Sequence, residues 1–198
     1  MAVLLSDAEY GEADVLPHKT WTREELAVLE STGVFEGTHY ELIDGELIDK
    51  MGKKRPHVRA TDNLRTVLTA LFGRRMVEQE VPIDVASDDL RKNEPEPDVI
   101  VLRAPHDDMA SNPQPVEIVL LVEVADTTLR QDLRTKSTLY ARAGIPEYWV
   151  LDLNGRGLHV LRDPAEGAYR TRLEFHESDS VAPLAKPESP ISVAALLP

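Results

Sequence analysis

The stretch from residue 116 to residue 151 constrains this chain more than any other. Val116 to Val124 is nearly all apolar, and Ile118-Val119-Leu120-Leu121-Val122 contains no polar residue. A run of that kind is the pattern of a strand covered on both faces. The spacing that follows predicts a helix over roughly 129–143, closed by Gly144 and Pro146. Tyr148-Trp149-Val150-Leu151 then reads as a second buried strand. Strand, crossover helix and strand imply a parallel pair within one sheet.

The remaining elements fit around that unit. Thr22 and Glu25 form a capping box that starts a helix with Leu26 and Leu29 on its apolar stripe, and Gly33 stops it. Tyr40 to Ile48 is a hairpin turning at Asp44-Gly45. Val58, Leu64, Val67, Leu68 and Leu71 give helical spacing over 57–73. Val77 to Val85 alternates like a strand, and Pro97 opens another through Leu102. Residues 103–115 form a loop, Asn154-Gly155 turns a hairpin into Leu158–Leu161, and Tyr169–Phe175 is a further strand. A short turn near Ala194 ends the chain. The fold class is therefore mixed α/β (α+β), a mixed β-sheet flanked by helices. Residues 1–20 lack periodicity and are expected to be a mobile arm; residues 21–198 are expected to form one domain.

Charge narrows the functional classes. The chain has 198 residues, no cysteine and a formal charge of −13. Disulfides, thiolate metal sites and a cysteine nucleophile are excluded. No apolar run approaches the ~20 residues of a membrane span, and the N-terminus lacks the basic flank of a signal peptide, so a cytoplasmic location is expected. The charge is unevenly spread. Residues 50–75 hold eight basic residues and one acidic, and residues 127–142 hold four and one, within an otherwise acidic chain. Acidic segments can gather carboxylates around a hard cation, and basic islands beside them can hold a phosphate backbone. On charge alone, two solvated helix faces explain the islands better.

Individual residues say more. Glu123 ends the apolar strand, where an unpaired carboxylate is costly to bury; it calls for a metal, a cation or the strand's open end. Asp98, after Pro97, fits a site or a turn equally well. Glu41 alone reads best as a cross-strand surface pair, and Glu46 sits across the hairpin turn. Lys136 shares a helical face with Asp132 and Tyr140, and by itself reads as an exposed lysine bridging to Asp132. The sequence contains no H-x-x-x-H pair, no G-x-S-x-G, no P-loop and no G-x-G-x-x-G.

Together these residues resemble a known family. Tyr40-Glu41-Leu42-Ile43-Asp44-Gly45-Glu46-Leu47 resembles the opening hairpin of the Uma-two family, part of the PD-(D/E)XK restriction-endonuclease-like superfamily. Glu94-Pro95-Glu96-Pro97-Asp98-Val99 is similar to its Pro-Asp motif, and Val122-Glu123-Val124 to its Glu-X-X motif. Asp132 to Lys136, followed by Tyr140 through Asp152, resembles its long C-terminal signature. The likeness covers about residues 20–196.

The resemblance implies a restriction-endonuclease-like core and a metal-dependent endonuclease acting on DNA. It makes Asp98 and Glu123 the ligands of Mg²⁺ or Mn²⁺, with Glu41 beside them directly or through water. The superfamily lysine is absent at Ala125; Lys136 occupies the place of the family's compensating lysine. Leu133 also departs from the common residue. His57, Asp132 and Tyr140 take supporting places. Lys53, Lys54, Arg55, Arg59, Arg130 and Arg134 would contact backbone phosphates. The two metal carboxylates are expected on neighbouring strands, with Glu41 and Lys136 facing the same cleft. A homodimer is expected, as symmetric pairing suits cleavage of two strands. The chief alternative is a catalytically weak or inactive nucleic-acid-binding module on the same fold. A carboxylate-pair glycosidase ranks last, since it needs neither the basic islands nor Lys136.

Overall fold

The apolar run forms the centre of a six-stranded sheet. The computed structural model describes residues 18–50, 52–107 and 110–198, and the expected arm falls largely outside them. Helix α1 (Arg23–Ser31) starts at the predicted Thr22–Glu25 capping box. A separate hairpin pairs β1 (Tyr40–Ile43) with β2 (Glu46–Asp49). Its turn places Asp44 and Gly45 at φ +50° and +82°, the left-handed conformations that Asp-Gly tolerates. Helix α2 (Arg55–Phe72) follows and ends at Gly73.

The main sheet comprises β3 (Val77–Gln79), β4 (Val99–Leu102), β5 (Ile118–Ala125), β6 (Glu147–Asp152), β7 (Gly157–Ala165) and β8 (Ala168–His176), paired in that order. All neighbours are antiparallel except β5 and β6, the predicted parallel pair. A small ladder of β9 (Ser180–Val181) and β10 (Ile191–Ser192), not expected from the sequence, follows.

Alternation along the strands divides the core. Val99, Val101, Leu120, Val122 and Val124 face α2, whose Ala60, Leu64 and Leu68 are buried against them. Leu196 and Leu197 close that layer from the C-terminus. Ile100, Leu102, Leu121 and Ala125 face the opposite layer, with Leu139, Tyr140 and Ile145. Glu123 has the parity of Leu121 and Ala125, so the pleat directs it toward the crossover helix.

Two expectations change. The strand over Val77–Val85 stops at Gln79, because Glu80 turns at φ +53° and Pro82 has no N–H to donate. Ile83 and Val85 are nonetheless buried, as loop residues. The helix over 129–143 is three pieces: α3 (Leu129–Gln131), a π-helical turn (Asp132–Lys136) and α4 (Ser137–Arg142). Within it, the Ser137 N–H reaches the Asp132 carbonyl, five residues back. The helix ends in a Schellman motif. Gly144 sits at φ +75°, its N–H bonds Ala141, and the Ile145 N–H bonds Tyr140 at 3.1 Å.

Candidate active site

Four elements remote in sequence deliver polar side chains to one cleft. Glu41 comes from β1, Asp98 from the residue before β4, Glu123 from β5 and Lys136 from the π-helical turn. The β4–β5 register pairs Val99 with Val122, so Asp98, one residue beyond the ladder, stands across from Glu123. The hairpin reaches the sheet through the Leu42–Glu94 bridge and an Asp44 N–H bond to Asn93. All four are buried, with relative exposures of 4%, 3%, 3% and 4%. The cleft they line has a volume of about 190 Å³ and also admits Lys50, Lys53, His57 and Asp132.

Lys136 is the hub. Its Nζ lies 2.8 Å from Glu41 Oε1, 2.9 Å from Glu123 Oε1 and 4.0 Å from Asp132 Oδ1. The exposed lysine paired with Asp132 is therefore not what the chain builds. Glu41 is likewise no surface pair; its other oxygen accepts the Glu96 N–H. Lys136 and Tyr140, four apart, share one face of the crossover helix, and both reach Glu123 Oε1. Burial disfavours the Lys136 charge, but Glu123, Glu41 and Asp132 outweigh it and hold the ammonium well above its ordinary pKa.

Glu123 Oε1 also accepts the Tyr140 hydroxyl at 2.9 Å. Its Oε2 has no donor among the described residues, and no buried side-chain N or O there is left unpartnered. That oxygen is therefore the one open to the cleft. Burial pushes the Glu123 carboxyl up to about 7 against the pull of Lys136 and Lys50. Burial and the Glu123 charge keep Tyr140 a phenol.

Asp98 is more fully engaged. Oδ2 accepts the Val124 N–H at 2.8 Å and lies 3.3 Å from His57 Nε2; Oδ1 accepts from Lys53 at 3.0 Å. Burial would raise its pKa, but the His57 hydrogen bond and the charges of Lys50, His57 and Lys53 prevail and hold it well below the carboxylate range. Asp132 Oδ2 accepts from Thr128 at 2.6 Å; burial raises that carboxyl in spite of Lys136.

The donor set suits a hard cation. Six carboxylates and four lysines line the cleft, an excess of two negative charges that a divalent ion would balance. Glu123 Oε2 is free to ligate. Among the described residues, however, no three acidic or histidine side chains stand at metal-caging distance; the ammonium groups of Lys53 and Lys136 sit between them.

The basic residues divide. Lys53 belongs to the cleft, and Lys54 pairs with Asp126 at 3.0 Å. Arg55, Arg59, Arg130 and Arg134 are exposed and form no ion pair among the described residues. Glu46 is also exposed, near His18 at 3.4 Å. Sequence reasoning passed over Lys50, whose amine bonds the Glu96 carbonyl. It also passed over Glu147, fully buried in β6 and bonded to Arg162. The signal for Glu147 was the one used for Glu123: an acid within an apolar strand.

Comparison with known proteins agrees with this architecture. No curated protein matches the chain. A solved structure described as "a putative nuclease belonging to DUF820", from Anabaena variabilis ATCC 29413, superposes with a TM-score of 0.65 at 16% identity. The match covers 88% of this chain and 96% of that one, so the two share the restriction-endonuclease-like fold. The Uma2 family profile, described as "Putative restriction endonuclease", matches residues 23–193. With that match running through both layers of the sheet and every residue of the cleft, the chain belongs to the Uma2 family.

Proposed function

We propose that this protein is a metal-dependent endonuclease that hydrolyses phosphodiester bonds in DNA. The observation that carries the reading is the convergence of Glu41, Asp98, Glu123 and Lys136 on one buried cleft from four separate elements. Asp98 and Glu123, with Glu41, would hold Mg²⁺ or Mn²⁺ by oxygen. Once bound, such a cation polarises a phosphodiester oxygen and acidifies a coordinated water.

The chain's own groups supply the rest. Lys136 keeps a full positive charge at the cleft and stabilises the charge that grows on the phosphate as water adds and the 3′ oxygen leaves. Tyr140 holds Glu123 Oε1, leaving Oε2 for the ligand. His57 and the Val124 N–H fix Asp98. Arg55 and Arg59 on α2, with Arg130 and Arg134 on the crossover helix, bind backbone phosphates, giving salt-sensitive affinity despite the acidic chain.

One observation favours the inactive binding module: lysine ammonium groups already pair with Asp98, Glu41 and Glu123, the three carboxylates that would hold the metal. A single assay separates the readings. Supercoiled plasmid with the protein and Mg²⁺ or Mn²⁺ is expected to be nicked, with EDTA and Asp98→Asn each abolishing the product. Plasmid that is bound but uncut under every cation would leave the inactive module.

A further inference from the structure

We propose that Lys53 is an exchangeable counter-cation, holding Asp98 until a divalent ion takes that carboxylate and then turning to a nucleic-acid phosphate in the groove along α2. This rests on the reading of Asp98 as a metal ligand.

The partners of Asp98 differ in how firmly they are held. The Val124 N–H belongs to the central strand and His57 to α2. Lys53 lies in the irregular segment before α2. It follows Gly52, which sits at φ +86° with open space where a Cβ would stand. Its side chain is 22% exposed, against 5% for Lys136. The contact most easily given up is therefore Lys53 on Asp98 Oδ1.

Lys53 also stands where two cavities meet. On one side is the cleft. On the other is a groove of about 870 Å³ lined by Arg55, Arg59, Arg65 and the exposed Val58. Arg65 pairs with Asp62 at 2.8 Å, while Arg55 and Arg59 form no ion pair among the described residues. The groove is thus cationic and suits a phosphate backbone. The second partner of Lys53, Glu80, is a half-exposed carboxylate. A divalent ion on Asp98 makes the ammonium redundant there and adds its charge to the groove. Cation and nucleic acid then favour each other's binding, and the coupling is reciprocal.

The test is calorimetric binding of Ca²⁺ to the full chain, alone and with a short DNA duplex. In the parent, the duplex should tighten Ca²⁺ by about tenfold. In Lys53→Met, Ca²⁺ alone should bind about fivefold tighter, the scale of one partly exposed ion pair removed, and the duplex should add less than about twofold. Lys53→Arg should behave as the parent. Glu80→Gln, which leaves Lys53 to Asp98 alone, should weaken Ca²⁺ by about twofold. If Asp98→Asn abolishes Ca²⁺ binding while Lys53→Met and Glu80→Gln both match the parent, the role of Lys53 is overturned and the metal site stands. If the parent binds no Ca²⁺, or Asp98→Asn binds it unchanged, the metal-ligand reading falls and takes this one with it.

Discussion

Glu123 and Glu147 lie on the adjacent parallel strands β5 and β6, each within apolar residues and each nearly without solvent. Glu147 is saturated by fixed donors. Oε1 accepts Trp149 Nε1 at 2.9 Å and two Arg162 nitrogens at 2.8 and 2.6 Å, and Oε2 accepts the Leu184 N–H at 2.7 Å. One charge meets one charge, and Glu147 does not line the cleft. Glu123 spends a single oxygen on Lys136 and Tyr140 and turns the other to a cleft with surplus carboxylate. Burial is equal at the two sites. What separates a clasp from a reactive site is whether acceptors remain unspent, whether charge is balanced, and whether there is room for a ligand.

The largest expected effect breaks the clasp. Glu147→Ala removes a fully buried carboxylate that serves the half-buried Arg162, Trp149 and the Leu184 N–H, and stability should fall by about 3–5 kcal/mol, lowering Tm by on the order of 10 °C. Chemical denaturation measures it; a loss under about 1 kcal/mol would show that Glu147 is not a clasp. Next, Lys136→Met should cut plasmid cleavage by about 10²–10³-fold, the scale for losing one electrostatic stabiliser, while calorimetric Mn²⁺ binding persists. Parental cleavage by that variant would remove Lys136 from the chemistry.

The smallest effect concerns pH. Burial raises the Glu123 carboxyl to about 7 in the folded chain. The folded state therefore holds a proton that the unfolded state releases between about pH 4.5 and 7, and stability falls as pH rises through that window. Glu123→Gln removes this dependence. Its stability advantage over the parent should grow from pH 5 to pH 8 by at most about 3 kcal/mol, read from urea midpoints at the two values. A difference that stays flat or shrinks would place the ionised form of Glu123 at ease in the cleft.

The central β-α-β unit was legible because its signals are local. The apolar run, the Gly144–Pro146 stop and the buried Tyr148–Leu151 each speak for their own segment. Asp44-Gly45 and Thr22–Glu25 were legible for the same reason. The π turn was not, since helical periodicity over 129–143 does not distinguish a bond to the fifth residue back from one to the fourth. Lys136 reads as exposed when taken alone because its local partner, Asp132, suggests a surface pair and its partners Glu41 and Glu123 lie far away in sequence. Glu41 was misread for a related reason: a hairpin's own pattern does not say which face another element covers. The likeness to a family brought these residues together where their local pattern did not. The clasp at Glu147 stayed hidden because Arg162 lies fifteen positions away, on β7.

The hairpin that carries Glu41 has a further consequence, in the order of folding. Among the described residues it is tied to the main body by the Leu42–Glu94 bridge, by Asp44 to Asn93 and Gly45 to Lys92, by Glu41 to Glu96 and Lys136, and by the buried Ile43. Asp44 and Asn93 are 49 positions apart, and loop closure across such a span comes late, after nearer contacts have formed. As a two-stranded sheet separate from the main one, the hairpin is expected to open before the six strands melt. Amide protons of Leu42 and Gly45 therefore exchange before those of Leu121 and Val122. A chain that has built its sheet but not yet docked this hairpin lacks Glu41 and leaves Lys136 short of one carboxylate, so the cleft is completed only once the hairpin docks.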